Sequence, residues 1–423
     1  MKRRMLFFER FMYIDGVTPI NCVITARLRG SLNPEKLRAA LSKVQAKHPL
    51  LRARVTEEEG EPWFVFDAEI PEIPLRIMER HAADDWQAIT EAEWKSPFDM
   101  KAGPLLRLVW IRSDEVSELM FVAHHCVCDG GSLITLMREV LQVADQPATE
   151  LTPYDSYRSF EDLVPAETLA NPAIVRGVKR KVALYKLFLT LVARRKAVLP
   201  ESKPYVLYWF GDAERSAVIS GRCKAEKTTP YAALCVAYLQ AFREVQGKAA
   251  RNKIMCPVDI RRLTPAVKDD MMFSFAPTIA LSLEKKQDAD LWTRGRRMKQ
   301  SITEKIKQMN VYEDLMVGDR MRSYVSKIVS FLQSSKGGHD VAFSNVGRIA
   351  IPTTYEAFQL EAILGTSVAV PWRNANTLVM SSFDGAMELA FISNERFLAQ
   401  HDAKAIQERA LQILEEALQL STV

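Results

Sequence analysis

The apolar pattern of this chain changes period repeatedly, from short runs that fit strands to wider-spaced stripes that fit helices. "TPINCVITARLRG" (18–30) is rich in β-branched residues and ends at a glycine, which predicts a strand. Leu37, Leu41 and Val44 then share one helical face, with Asn33 at the N-cap, Pro34 in the first turn and His48-Pro49 as the stop. Strands are predicted over 63–66, 105–112 and 118–125, and a helix over 132–144. A second series starts near 203, with helices over 230–246, 288–309 and 395–420. Its strands are predicted over 253–260, 275–283, 340–347, 377–385 and 387–393, the last with Met387, Leu389 and Phe391 on one face. The pattern gives two mixed α/β lobes, 1–175 and 204–423, joined by a linker over 176–203.

Composition agrees with that division. At 423 residues the chain is too long for one ordinary core, and 48% hydrophobic with 26% charged residues is the balance of a soluble globular protein. A net charge of +5 is modest, and no aromatic-interleaved basic motif is present, so nucleic acid is not an expected partner. The six cysteines (Cys22, Cys126, Cys128, Cys223, Cys235 and Cys256) lie mainly within apolar runs, as buried free thiols of a reducing compartment would. The opening "MKRRMLFFERFMYIDG" is interrupted by Glu9 and Arg10 and lacks a small-residue cleavage site, so a cytoplasmic location is expected.

The chemistry concentrates at 121–132, "FVAHHCVCDGGS". Neighbours on a strand face opposite sides, so one of His124 and His125 at most enters any one pocket. Together with Cys126 and Cys128 they have the chemistry of zinc ligands, but their side chains diverge and no second Cys/His cluster follows. The expected metal content is therefore none.

His124, His125, Asp129 and Gly130 stand in the pattern HHxxxDG. This resembles the signature of the chloramphenicol-acetyltransferase-like superfamily, which includes peptide-synthetase condensation domains and stand-alone polyketide-associated O-acyltransferases. "KHPLLRARV" (47–55), "PVDIRRLTP" (257–265) and "FSNVGRI" (343–349) resemble further stretches of that family, in its order. "SFDGAMEL" (382–389) lacks the tryptophan order of the plant branch. The resemblance implies a two-lobe α/β (α+β) fold with the site between the lobes. It also implies acyl transfer from a CoA or acyl-carrier-protein thioester to a hydroxyl or amine, with no bound cofactor. His125 would be the general base, a task that an imidazole with an unperturbed pKa near 6.5 suits at cellular pH. His124 would be structural, and Asp129 would pair with Arg261 or Arg262 of the second lobe. Gly130 and Gly131 would permit a tight, left-handed turn into a helix capped by Ser132. Ser344 and Asn345 would support an oxyanion. Two rivals fit the same residues: a condensation enzyme joining carrier-bound substrates as amides, and a non-catalytic carrier-binding module.

The stretch 176–196 carries eight Lys or Arg and no acidic residue around an apolar block. It reads first as a solvated crossover helix, and otherwise as a dock for an acidic carrier protein or CoA phosphates or as a peripheral membrane contact, between which the pattern does not choose.

Overall fold

The run "ELMFVAHH" is apolar at nearly every position because its strand, Val116–His124, lies in the middle of a sheet covered on both faces. The computed structural model describes residues 1–66, 69–192, 203–284 and 289–419. Val116–His124 pairs antiparallel with Asn21–Gly30 on one side and Leu106–Arg112 on the other. Leu119, Phe121 and Ala123 join the first lobe's core under the helices Pro34–Lys47 and Gly130–Asp145. Met120 and Val122, on the other face, join Trp86 and Trp94 of helix Asp85–Lys95 in a cluster at the seam between the lobes. Asn33 caps Pro34–Lys47 by accepting from the Glu35 and Lys36 amides, which makes that start purely local.

The second lobe is built on a six-stranded mixed sheet. Helices Pro230–Gln246, Leu291–Gln308 and Gln400–Gln419 cover one face, where Met387, Leu389 and Phe391 are buried together. The C-terminal helix begins at Gln400 rather than at 395. The other face carries Val379, Ala390 and Ile392 into the seam. A third sheet, of three strands, flanks the first lobe.

One element crosses the predicted division. Strand Phe358–Val368, from the second half of the chain, pairs with Asn21–Gly30 and completes the first lobe's five-stranded sheet. Beside it, Glu388 of the second sheet is buried and accepts from the Gly365 amide at 2.8 Å, while its other oxygen has no partner among the described residues. Burial pushes this carboxyl up to about 8. The folded protein therefore holds a proton there that the unfolded chain releases near pH 4. The resulting stability is fully present at low pH and drains away as pH rises to about 8. Glu388→Gln is expected to raise the melting temperature at pH 8 and to leave it nearly unchanged at pH 4, as thermal unfolding at the two pH values will show.

The basic segment forms a helix, Pro172–Val192, that starts earlier than expected and packs Val178, Val182 and Leu189 against Val311–Met321 and its neighbours. Residues 193–196 of that segment, and the linker to 202, lie outside the described residues. No helix among the described residues is long and apolar enough to cross a membrane.

Candidate active site

His125 stands one residue beyond the end of the central strand, where the chain leaves the sheet. Its backbone amide still donates to Ile20 O at 2.8 Å, and its carbonyl accepts from Ser274 Oγ of the second lobe at 2.7 Å. The ring is fixed as well: Nδ1 lies 2.8 Å from the Cys128 carbonyl oxygen. A carbonyl can only accept, so Nδ1 carries the hydrogen and the lone pair of the neutral ring resides on Nε2. The edge of Phe8 packs against the ring, with centroids 6.4 Å apart.

His124 points the other way. It is fully buried, packs edge-on to Phe98, and its Nδ1 accepts from the Cys126 amide at 3.2 Å. Burial, then the charges of His125 and Arg107, push it down to about 3, so it is neutral and holds the turn. All six cysteines are buried and unpaired. Cys126 and Cys128 pack beneath the turn, and burial pushes both thiols up. The sulfur beside the base belongs instead to Cys22, on the neighbouring strand. Burial depresses the His125 imidazole, but the Cys22 sulfur and the Cys128 carbonyl outweigh it and raise the ring to about 9. The ring is thus more basic than its residue type alone predicts.

Asp129 does two things at once. It caps helix Gly130–Asp145, accepting from the Ser132 amide at 2.8 Å, so the cap is Asp129 rather than Ser132. It also receives Arg261 of the second lobe through two bonds, Nη1 to Oδ2 at 2.7 Å and Nη2 to Oδ1 at 2.8 Å. Arg262 is exposed and is not part of this pair. Arg261 donates further to Ser132 Oγ, Asp259 and Met271 O. The glycines serve this approach rather than a left-handed turn, since neither has a positive φ. A Cβ on Gly131 would sit 3.1 Å from Arg261 Nη1, and one on Gly130 would meet Val346 at 3.5 Å.

The loop that delivers Arg261 is fastened again further on. Asp270 accepts from Lys47 Nζ at 2.6 Å and from the Tyr154 hydroxyl, and Ser132 Oγ bonds both the amide and the carbonyl of Phe273. Ser274 and Phe275 follow directly, and Phe275 packs on Phe8. Sequence reasoning missed Cys22, Ser274 and this aromatic wall. The short "LFFERFMY" run, folded as helix Phe7–Tyr13, was its one visible trace.

Ser344 and Asn345 are separated by the strand that carries them, Val341–Ile349. Phe343 enters the second lobe's core, so Ser344 lies on the opposite face. Asn345 is exposed, accepts from the Gly347 amide at 3.0 Å, and lines a cavity of about 640 Å³ in the second lobe with Lys299 and Arg348. Its Oδ1 is thus engaged within its own strand end. A smaller cavity, about 210 Å³, opens at the seam between Trp94 and Pro371. His125 lines neither. Among the described residues, no three His, Cys, Asp or Glu side chains are grouped to hold a metal ion.

Comparison with known proteins fits this geometry. The condensation-domain family matches residues 1–162, and the C-terminal family of phthiocerol/phthiodiolone dimycocerosyl transferases (PapA type) matches 210–392. The chain belongs to the condensation and PapA-type acyltransferase family. Enzymes of this family act on thioester-bound acyl substrates. Its curated relatives include a linear gramicidin synthase of Brevibacillus parabrevis, 30% identical over 33% of this chain, which spans 3% of that synthase. The trichothecene 15-O-acetyltransferase of Fusarium sporotrichioides has the same fold, with a TM-score of 0.75 at 14% identity, over 99% of this chain and 95% of that one. Polyketide synthase associated protein 5 of Mycobacterium tuberculosis aligns over 98% of both chains, with a TM-score of 0.63 at 16% identity. The fold of this family member is accordingly the two-lobe chloramphenicol-acetyltransferase-like one, with mixed sheets.

Proposed function

We propose that the protein transfers an acyl group from a CoA or carrier-protein thioester to a hydroxyl or amine acceptor, with His125 as general base. The observation that carries this reading is the 2.8 Å bond from His125 Nδ1 to the Cys128 carbonyl, which keeps a hydrogen on Nδ1 and makes Nε2 the nitrogen that takes a proton when the ring is neutral. Nε2 removes the acceptor's proton as its oxygen or nitrogen attacks the thioester carbonyl. The tetrahedral intermediate collapses, the C–S bond breaks, and the imidazolium returns the proton to the departing thiolate. No covalent enzyme intermediate is needed. Ser344 remains the candidate to steady the oxyanion.

Thiol release from a panel of acyl-CoA and acyl-carrier donors, with pooled alcohols and amines, tests the activity. Release from carrier-bound donors alone, with amide products, would favour the condensation enzyme. Silence with every donor would favour the binding module.

The raised basicity of His125 gives a sharper test of its role. Only the neutral ring accepts a proton, so the rate is expected to climb with pH toward about 9. Cys22→Ala removes the sulfur that raises the ring and leaves the burial that lowers it. The climb should then move to lower pH, with activity retained. A variant with no activity at any pH would instead give Cys22 a covalent role beside His125.

A further inference from the structure

Helix Pro172–Val192 has two apolar stripes, and only one is buried. Val178, Val182 and Leu189 face the core. Leu184, Leu187, Phe188 and Leu191 recur at the spacing of one helical face and are 48% to 76% exposed. Extended one and two turns toward the N-terminus, the same stripe carries Arg180 and Arg176, both exposed. Each apolar side chain left in water at this spacing costs free energy, so the stripe implies an occupant.

Charge decides which. No Asp or Glu occurs in 172–192, nor in 322–339, which contains the neighbouring helix Val325–Ser334. The two helices meet through Phe188 and Phe331, whose rings are 5.7 Å apart. Lys327, Lys336 and Arg373 are exposed around that contact. Neither helix brings an acidic side chain to that contact, and Glu313 of the helix beneath is taken up by Lys181. An apolar stripe with this surplus of cations among the described residues is complementary to an anionic lipid surface, where the apolar groups enter the acyl boundary and the cations lie at the head groups.

The same patch leads inward to the base. The Arg373 amide donates to Leu332 O at 3.0 Å, which brings Trp372 to the end of helix Val325–Ser334. Trp372 stacks on Phe11 at 5.2 Å, Phe11 meets Phe8 at 5.9 Å, and Phe8 meets His125. A line of aromatic rings thus runs from the end of that helix to His125.

We propose that this face docks on an anionic phospholipid surface. The docking rests on the helices alone and does not depend on the acyl-transfer reading above.

Flotation of the full chain with vesicles tests the docking, using phosphatidylcholine containing phosphatidylglycerol against phosphatidylcholine alone. The wild type is expected to float with the anionic vesicles. Leu187→Ser with Phe188→Ser, or Arg176→Gln with Arg180→Gln, should weaken that by at least about tenfold while circular dichroism stays unchanged. His125→Ala should float like the wild type, so a failed chemistry and a failed docking are read separately. No flotation of the wild type, or variants that float equally well, would overturn the docking. Capture of a phosphopantetheinyl carrier protein on this face without flotation would overturn it in favour of a carrier dock.

Discussion

Replacing His125 with alanine is expected to lower acyl transfer by roughly a hundred- to ten-thousandfold, the range over which a positioned general base acts. The fold should survive, because the bonds that hold this turn come mainly from its backbone: the amide donates to Ile20 and the carbonyl accepts from Ser274. What is lost is the ring's bond to Cys128 and its contacts with Phe8 and Cys22. Thiol release by wild type and variant, read beside their melting temperatures, checks both halves. A variant that keeps wild-type turnover would remove His125 from the chemistry. A variant that unfolds would show that the ring's bond to Cys128 carries structure as well.

The second large effect is expected at Arg261. Its side chain is 4% exposed and that of Asp129 is 13% exposed, so Arg261→Ala leaves a carboxylate in a poorly solvated place without its partner. Breaking a buried pair from one side costs on the order of 3–5 kcal/mol. Urea unfolding should show a loss of that order, together with a fall in turnover, because the same arginine ties Ser132 of the first lobe to the second and holds its own loop at the Met271 carbonyl. Arg261→Lys should recover only part, since an ammonium cannot reproduce the forked contact with both Asp129 oxygens. Full stability and full activity in Arg261→Ala would make the pair incidental.

How much was legible depended on distance along the chain. Asn33-Pro34 was readable because a cap and its helix are contiguous, and its observed bonds run two and three residues forward. The strand ending in His-His was readable because an apolar run meeting Asp-Gly is a local change of pattern. The choice between Arg261 and Arg262 was not readable. Both follow the same strand, and only the third dimension shows which one reaches Asp129, 132 residues away. Ser132 and Asp129 are both good caps by residue type, and the turn geometry decides between them. Strand Phe358–Val368 escaped because its partner lies more than 300 residues earlier, and its register is irregular at two points. Cys22 beside His125 follows from strand pairing, which no single segment encodes.

That exchanged strand bears on how the chain can be cut. Two different families match its two halves, which invites treating them as separable modules. A fragment ending near 175 would nevertheless lack one of the two partners of Asn21–Gly30, leaving one long edge of its sheet unpaired and open to self-association. Grafting the second half of a relative onto this first half would transplant a sheet edge along with a lobe. Such a hybrid can fold only if the incoming strand keeps the register and irregularities that Asn21–Gly30 already accommodates.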